Sequence, residues 1–317
     1  MELVVKKEDA HCGKDILALL KSMSLSSKMI KYLKYREDGI TVNGSRVTVR
    51  YVLKDNDVLS LAIDDSESAD CTPTDVDLDI IYEDNDLIVV NKPPFMPTHT
   101  SHGHYDDTLA NALAGYFSGK GFPFVFRPIN RLDRNTSGLV LVAKNKPSAS
   151  FLSAEMRAHR ISKVYLAVLN GELPDPTETS ETPYGKMGIV NKPLHRTAAS
   201  IIVREVCSED APDAESAVTL YRILGRKNGL TLVEAHPKTG RTHQLRVHFA
   251  HLGCPILGDD IYGSPSDLIN RHALHALSLS LSLPPDLLSP SEKENHTINL
   301  RAEPPADMAG LASLFFK

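Results

Sequence analysis

The feature that most constrains this chain is a polar, arginine-rich loop that turns directly into a short apolar run. Residues 139–143 read Leu-Val-Leu-Val-Ala, and the Asn-Thr-Ser-Gly before them has turn chemistry. Together they predict a turn that leads into a buried strand. Just ahead of the turn, Asp133 lies between Arg131 and Arg134, and neighbouring positive charge favours the ionised carboxylate. Taken alone, this pattern is better explained by an ion pair that closes a loop.

Residues 1–62 have the pattern of a separate small module. Residues 15–23 predict a short amphipathic helix, and a second helix follows the Ser26-Ser27 cap as far as Tyr35. Three lysines of the second helix point outward, namely Lys28, Lys31 and Lys34. With the short strands that follow, the order is similar to that of S4-type RNA-binding domains, whose helix pair presents basic residues to structured RNA. A solvated lysine face is the alternative interpretation.

The charge of the chain is distributed unevenly. Its net value of -5 would by itself argue against a nucleic-acid binder. Residues 61–90, however, hold ten Asp or Glu and no Lys or Arg, whereas residues 1–60 hold eleven basic against eight acidic residues. A basic groove elsewhere in the chain is therefore permitted. Residues 63–77 lack periodic apolar residues and predict a solvated acidic linker to a larger domain over residues 78–317.

The larger domain alternates strand and helix patterns. Turn residues at 83–86 predict a β-hairpin, and a strand over residues 163–169 carries Tyr165. Residues 173–216 are rich in Pro, Thr and Ser and predict a long loop, a candidate RNA-facing excursion. The other predicted elements are helices at 107–117 (capped by Asp106 or Asp107), 147–161 and 242–252, strands at 218–224, 229–235 and 274–283, and a short helix at 309–316.

Four blocks of the sequence resemble RluA-type RNA pseudouridine synthases. Residues 131–138 (Arg-Leu-Asp-Arg-Asn-Thr-Ser-Gly) resemble the H-R-L-D-x-x-T-S-G signature, although Asn130 stands where the family usually has His. The other blocks follow in the family's order within residues 82–93, 163–167 and 237–263. The resemblance implies an α+β fold, with a mixed, mainly antiparallel central sheet flanked by helices and a catalytic cleft, beside the small S4-like α/β module.

The same resemblance implies roles for individual residues. Asp133 matches the catalytic carboxylate, Arg246 the arginine that pairs with it, and Tyr165 the tyrosine that stacks on the target base and is a candidate proton-abstracting base. Arg131 matches the residue that fills the gap left by an everted uridine, and Leu245 the apolar floor of the site. The complete set of predicted substrate-binding residues is Lys92, Arg131, Arg134, Arg241, His243 and Leu245. Lys92 either reaches an RNA phosphate or pairs with the acids of the hairpin.

The chemistry implied by the resemblance requires no cofactor. Conversion of uridine to pseudouridine cleaves the bond from C1′ to N1 and joins C5 to C1′, and no atom is gained or lost. Consistent with this, the chain contains no G-x-x-x-x-G-K-[ST], G-x-G-x-x-G or G-x-S-x-G motif. No metal site is predicted either, because the histidine-rich loop at residues 99–104 lacks Cys or carboxylate partners at ligand spacing.

The predicted substrate is structured RNA, with large-subunit ribosomal RNA favoured and transfer RNA as the alternative. Two rival functions remain open at this stage, a non-catalytic RNA-binding or ribosome-assembly factor and a metal-dependent phosphoesterase. A cytoplasmic location is expected for three reasons. The N-terminus lacks a signal-peptide pattern, no apolar run approaches the ~20 residues that span a bilayer, and the four cysteines are scattered.

Overall fold

The computed structural model describes residues 2–9, 11–23, 25, 27–63, 71–122, 124–283 and 296–316. Its first part contains a four-stranded antiparallel sheet in the order β1-β4-β2-β3, made of β1 (Glu2–Val4), β2 (Ile40–Val42), β3 (Ser45–Arg46) and β4 (Val58–Leu61). Two helices, α1 (Ile16–Ser22) and α2 (Ser27–Tyr35), share one apolar core with this sheet. The predicted helix pair is therefore present. Of the short strands predicted after it, those at residues 40–42 and 58–61 form, whereas residues 47–53 form turns and not a strand. The assignment of this module to an S4-type RNA-binding domain stays a prediction.

The segment predicted as a solvated linker differs in part from that expectation. Residues 64–70 lie outside the described residues, but residues 72–74 are held against the helix α3 (Leu109–Gly119). The Asn111 side chain donates to the carbonyl of Thr72 at 2.7 Å, and the Thr74 N–H donates to the Asn111 carbonyl at 3.1 Å. A Cβ at Gly115 would lie 2.0 Å from the Thr74 oxygen, so the approach of this segment requires glycine.

The larger part of the described chain is built on one mixed sheet. Its main path runs β10-β11-β14-β15-β9-β16-β8-β6-β5, with β17 paired to β16 and β7 to β8. The strands are β5 (Ile80–Glu83), β6 (Leu87–Lys92), β7 (Arg127–Pro128), β8 (Ser137–Ala143), β9 (Ser162–Asn170), β10 (Thr179–Thr182), β11 (Gly185–Asn191), β14 (Val218–Lys227), β15 (Leu230–Pro237), β16 (Leu274–Leu283) and β17 (His296–Arg301). Among the described strands, only β8 and β16 pair in parallel. The predicted α+β fold with a mainly antiparallel sheet is confirmed.

The parallel junction explains the glycine that closes the signature. Ser137 is opposite His275 and Gly138 is opposite Ala276. Gly138 has a φ of 111°, and a Cβ at this position would lie 2.3 Å from the Ala276 carbonyl oxygen. Only glycine allows the two strands to approach so closely while the chain turns. The loop that carries Asp133 therefore enters the centre of the sheet.

Helix boundaries differ from the sequence prediction by a few residues. The cap of α3 is Thr108, not Asp106 or Asp107, and Thr108 forms a reciprocal capping box with Asn111. The remaining helices are α4 (Lys146–Arg157), α5 (Gln244–His251) and α6 (Ala306–Ser313), followed by a 3-10 turn at Leu314–Phe316. The start of α5 is delayed to Gln244 because His243 adopts a left-handed conformation with φ 57°. That turn aims the His243 side chain at the site described below.

Residues 173–216 are not one long loop, as the sequence suggested. Strands β10 and β11 extend the edge of the large sheet through β14. A separate two-stranded ribbon consists of β12 (Leu194–Arg196) and β13 (Arg204–Val206). The ribbon contacts the segment that follows α5, since the Arg204 N–H donates to the Tyr262 hydroxyl at 2.9 Å. Part of this poorly predicted segment therefore supports the candidate active site.

Candidate active site

A cleft of about 680 Å³ opens beside the central strand β9. Its lining comes from the loop ahead of β8, from β9 itself, and from the segment that joins β15 to α5. Seven of the nine predicted site residues line it, namely Asp133, Tyr165, Arg246, Arg131, Arg241, His243 and Leu245. Arg134 and Lys92 do not. Fragments far apart in sequence thus meet in one concave site, as expected for a ligand pocket.

The electrostatic character of this cleft is opposite to that of the whole chain. Six Lys or Arg side chains line it (Arg131, Arg157, Lys163, Lys238, Arg241 and Arg246), and Asp133 is the one carboxylate among the lining residues. Such a surface attracts a polyanion, because each phosphate can replace its counterions with a protein cation. The acidity noted in the sequence therefore does not extend into the cleft.

The loop before β8 holds Asp133 in place through its backbone. The Thr98 hydroxyl donates to the Leu132 carbonyl at 2.7 Å and accepts from the Leu132 N–H at 3.2 Å. The carbonyl of Asp133 accepts from the Thr136 N–H at 3.0 Å. With both neighbours fixed, the Asp133 side chain is 27% exposed at the cleft. It is therefore held in position yet open to a ligand.

Asn130, the departure from the family signature, bridges the backbone of β8. Its side-chain amide donates to the Leu139 carbonyl at 3.1 Å, and its oxygen accepts from the Leu141 N–H at 2.8 Å. An amide can satisfy one donor and one acceptor of a strand at once, because it carries both functions. Asn130 therefore connects the loop that carries Asp133 to the strand that follows it.

Arg246 connects Asp133 to a second, buried carboxylate. Its Nη1 lies 3.4 Å from Oδ2 of Asp133, while its Nε and Nη2 each donate to Asp259 at 2.7 Å. The Arg246 side chain is 4% exposed and that of Asp259 is fully buried. Asp259 also accepts the N–H groups of Ile261 and Tyr262, each at 3.0 Å. This bidentate pair fixes the plane of the guanidinium.

The two charges reinforce each other inside the protein. Burial works against both ions, but the hydrogen bonds and charge of Asp259 raise the pKa of Arg246, and the negative charge of Asp133 adds to the effect. Burial likewise tends to raise the pKa of Asp259, but the hydrogen bonds and charge of Arg246 hold that pKa below its ordinary value. Arg246 therefore stays positive and presents one N–H edge to Asp133.

His243 forms a second contact beside Asp133. Its Nε2 lies 3.9 Å from Oδ2 of Asp133, and its Nδ1 is 2.8 Å from the hydroxyl of Tyr262. That hydroxyl accepts the N–H of Arg204 at 2.9 Å, so it is free to donate to Nδ1 and leave the imidazole proton on Nε2. Burial lowers the pKa of His243, although the charge of Asp133 opposes this. This environment therefore favours the neutral imidazole.

Tyr165 and Leu245 form the apolar part of the site. Tyr165 is 8% exposed and Leu245 is 6% exposed, and both line the cleft. Burial, and secondarily the charge of Asp133, raise the pKa of Tyr165 well above its ordinary value. Burial therefore favours the neutral phenol, which is suited to stacking on a base. The expected role of Tyr165 as a proton-abstracting base stays a prediction.

Lys92 does not occupy either of the positions expected from the sequence. Its side chain is fully buried, and its ammonium donates to the carbonyls of Pro93 and Met96 at 2.8 Å and of Arg134 at 3.2 Å. It touches neither solvent nor the hairpin acids. Burial lowers the pKa of Lys92 to about 7, with the charge of Asp133 opposing that change. Through its bond to Arg134, Lys92 thus stabilises the loop that carries Asp133.

The sequence did not single out a second buried cation below the same loop. Arg271 is 1% exposed, forms a bidentate pair with Asp307 at 2.8 and 3.0 Å, and donates to the Asn135 carbonyl at 3.0 Å. Next to it, His272 faces the Thr136 hydroxyl at 2.8 Å, and burial lowers the pKa of this imidazole to about 4. Only the arginine-histidine pair ahead of β16 could have been noted, since the partners come from distant segments.

Two predicted contacts at the rim are used within the protein itself. The Nε of Arg241 donates to the Ser216 carbonyl at 3.0 Å, and its Nη1 lies 3.5 Å from Glu215. The backbone N–H of Arg241 donates to the Gln244 side chain at 3.0 Å. The Nε of Arg134 donates to the Phe95 carbonyl at 3.2 Å.

Metal and membrane features can be examined over the same part of the chain. Within the described ranges, no group of three or more His, Cys, Asp and Glu side chains is arranged to hold a metal ion. None of the helices in those ranges combines the length and apolar character needed to cross a membrane.

Comparison of the sequence with known proteins identifies a family. A sequence model described as RNA pseudouridylate synthase matches residues 86–251, more than half of the 317 residues. The chain is 32% identical over 290 residues to the uncharacterized RNA pseudouridine synthase YjbO of Bacillus subtilis, covering 91% of this chain and 95% of the relative. It is 35% identical over 251 residues to the ribosomal large subunit pseudouridine synthase D of Zymomonas mobilis, covering 77% and 74%.

A solved structure shows the same relationship at the level of the fold. Human RNA pseudouridylate synthase domain containing 1 has a TM-score of 0.54 and 27% identity, covering 72% of this chain and 84% of the human chain. The matched residues 86–251 include Asp133, Tyr165 and Arg246. The chain therefore belongs to the RNA pseudouridylate synthase family.

Proposed function

We propose that this pseudouridine synthase isomerises uridines of structured RNA, with large-subunit ribosomal RNA as its substrate. The observation that carries the proposal is the cleft in which a single lining carboxylate, Asp133, faces Arg246 among basic side chains. The relative named ribosomal large subunit pseudouridine synthase D supports the choice of RNA, since it covers 77% of the chain. A cytoplasmic location, where ribosomal RNA is processed, is part of the same proposal.

The proposed reaction begins with eversion of the target uridine. Unstacking costs a few kcal/mol, and stacking on Tyr165 returns about 1–3 kcal/mol. Arg131, exposed at the rim of the cleft, occupies the gap that the base leaves. Leu245 and Tyr165 confine the uracil, so that after C1′–N1 cleavage the freed ring turns in place and does not diffuse away.

Asp133 is proposed as the catalytic carboxylate. It attacks C1′, attacks the uracil ring, or removes a ribose proton on a glycal pathway, and the same position serves all three routes. Arg246 keeps the carboxylate aimed through the 3.4 Å contact, while Asp259 holds the guanidinium. Once C5 has joined C1′, the C5 proton leaves the ring and N1 gains one, so the reaction balances without a cofactor.

The N-terminal residues support a structured substrate. A shallow depression is lined by four residues of α2 and by the residue after it, namely Lys28, Lys31, Tyr32, Tyr35 and Arg36. Tyr35 is 76% exposed and Tyr32 is 45% exposed. Exposed aromatic rings among cations are suited to base stacking and phosphate contact, which is the reason for proposing that this module, as an S4-like domain, binds RNA.

The proposal is tested by mapping pseudouridines in total cellular RNA from cells with and without this protein. The expected result is the loss of specific pseudouridines from large-subunit ribosomal RNA, restored by the wild-type protein and not by Asp133→Ala. Loss of sites from transfer RNA instead would move the substrate to that class. An unchanged map in all RNA classes would contradict the proposal.

A further inference from the structure

Lys163 is a cation of the cleft to which no role has been given. It lies at the start of β9, two residues before Tyr165, and both side chains line the cleft. Residues two apart on a strand point to the same face, and their Cα atoms are about 7 Å apart. Lys163 is therefore placed beside whatever base stacks on Tyr165.

The ammonium of Lys163 lacks a counter-ion among the described residues. None of the described residues forms an ion pair or hydrogen bond with it, and burial alone lowers its pKa. This distinguishes it from Arg246, which pairs with Asp259, and from Arg241, which contacts Ser216 and Glu215. Holding an unpaired cation in a half-buried position is unfavourable, and an anionic ligand would remove that cost.

The position of the ammonium is set by the opposite wall of the cleft. A Cβ built on Gly240 would lie 3.8 Å from the Lys163 nitrogen, which places that nitrogen at the segment joining β15 to α5. Lys238 and Arg241, both exposed, flank Gly240 on that segment. The three cations therefore bound one end of the cleft, and Asp133, the one carboxylate in the lining, faces Arg246 and His243.

We propose that Lys163 binds a phosphodiester group that flanks the everted uridine. The inference rests on the proposed function, since it assumes that the base lies on Tyr165. In a polynucleotide the anion nearest to a base is a phosphate of its own backbone. The distance from base to phosphate within one nucleotide is close to the distance between alternate residues of a strand. Lys163 would then fix the backbone while the base turns, acting in binding and not in the bond rearrangement.

The test uses a synthetic RNA hairpin taken from large-subunit ribosomal RNA, with a neutral methylphosphonate in place of the phosphodiester on either side of the target uridine. One of the two replacements should weaken binding to the wild type about 10- to 100-fold, as expected for a hydrogen-bonded charge pair. Lys163→Met should lose the same factor on unmodified RNA, and the methylphosphonate should then cost nothing further.

Three additional readouts separate this role from a general loss of structure. Lys163→Arg should retain most of the affinity, and Lys163→Met should raise the RNA concentration needed for half-maximal rate and leave kcat nearly unchanged. The slope of log affinity against log salt should fall by about 0.7 in Lys163→Met, the contribution of one phosphate contact in a single strand. Lys227→Met is the matched control, because Lys227 lies at the end of β14 and outside the cleft lining. It should leave the RNA affinity, the half-maximal RNA concentration and the salt slope unchanged.

Wild-type affinity in Lys163→Met, or equal additional weakening of that variant by either methylphosphonate, would overturn the inference. The coupling is read from binding alone. If the wild type binds the hairpins but converts no uridine in any cellular RNA, the proposed function fails while the phosphate contact can still be measured. Unfolding temperatures equal to that of the wild type show that each variant is folded.

Discussion

The pair formed by Arg246 and Asp259 offers a quantitative test of how the site is held. Asp259→Asn removes one negative charge from a pair whose two hydrogen bonds are both 2.7 Å long and whose side chains are nearly inaccessible to solvent. Breaking a buried ion pair costs about 3–5 kcal/mol. Because asparagine keeps one acceptor oxygen, the expected loss of unfolding free energy is at the lower end, about 3 kcal/mol.

Two measurable consequences follow for Asp259→Asn. The melting temperature should fall by about 6–12 °C, given the 2–4 °C per kcal/mol typical of large domains. Arg246 keeps Asp133, at 3.4 Å, as its nearest remaining carboxylate, closer than the exposed Asp260 at 3.7 Å, so the guanidinium should turn toward Asp133 and displace it. A displacement of about 1 Å at a reacting group can lower the rate by about 100-fold.

The assay is tritium release from RNA that carries uridine labelled at C5, because this hydrogen leaves when C5 joins C1′. Measured well below the melting temperature of the variant, kcat should fall far more than affinity for RNA. The adjacent Asp260→Asn is the matched control, since Asp260 is 67% exposed and 3.7 Å from Arg246, and exposed pairs contribute little. A wild-type kcat in Asp259→Asn, or an equal loss in Asp260→Asn, would refute the reasoning.

Three further predictions concern residues around the cleft and the core. Asn130→Ala should lose about 2 kcal/mol of unfolding free energy from two hydrogen bonds and lower kcat, whereas Asn130→His should retain more of both, as measured by thermal unfolding and tritium release. Tyr262→Phe should free the Nδ1 of His243 to bind a proton, which raises the pKa of the imidazole. The apparent pKa read from the pH profile of kcat should therefore rise. Burial lowers the pKa of His248 to about 4 in the folded chain, against 6.5 in the unfolded chain. Between these two pH values the unfolded state binds more protons, so about 3 kcal/mol of stability is lost as the pH falls from 6.5 to 4. His248→Gln should flatten that part of the curve of unfolding free energy against pH.

The elements of the fold that could be predicted are those with strong local patterns. Strand β8 is apolar from Leu139 to Ala143 and β16 alternates leucine and serine over most of its length, so both positions follow from hydrophobic periodicity. The β10-β11 hairpin was missed because β10 is short and polar and β11 carries two glycines among its apolar residues, a composition that also suits loops. The cap of α3 was misplaced by one or two residues because Asp106, Asp107 and Thr108 are all acceptable caps.

The candidate site was predictable to the extent that it lies in contiguous motifs. The loop before β8 and the start of α5 supplied Asp133, Arg246, His243 and Leu245, all of which line the cleft. Lys92 could not be placed correctly, since its burial depends on carbonyl groups at positions 93, 96 and 134 that meet only in the folded chain. The support from Asp307 through Arg271 is likewise invisible to local patterns, because its partners are 36 residues apart.

The central claim is that Asp133 performs the chemistry and is not required for holding the RNA. Its most direct test compares purified wild type with Asp133→Asn, using tritium release and RNA binding on the same preparation. Asp133→Asn is expected to release no tritium above background, while its RNA dissociation constant and melting temperature stay close to those of the wild type. Continued release of tritium by Asp133→Asn would contradict this claim.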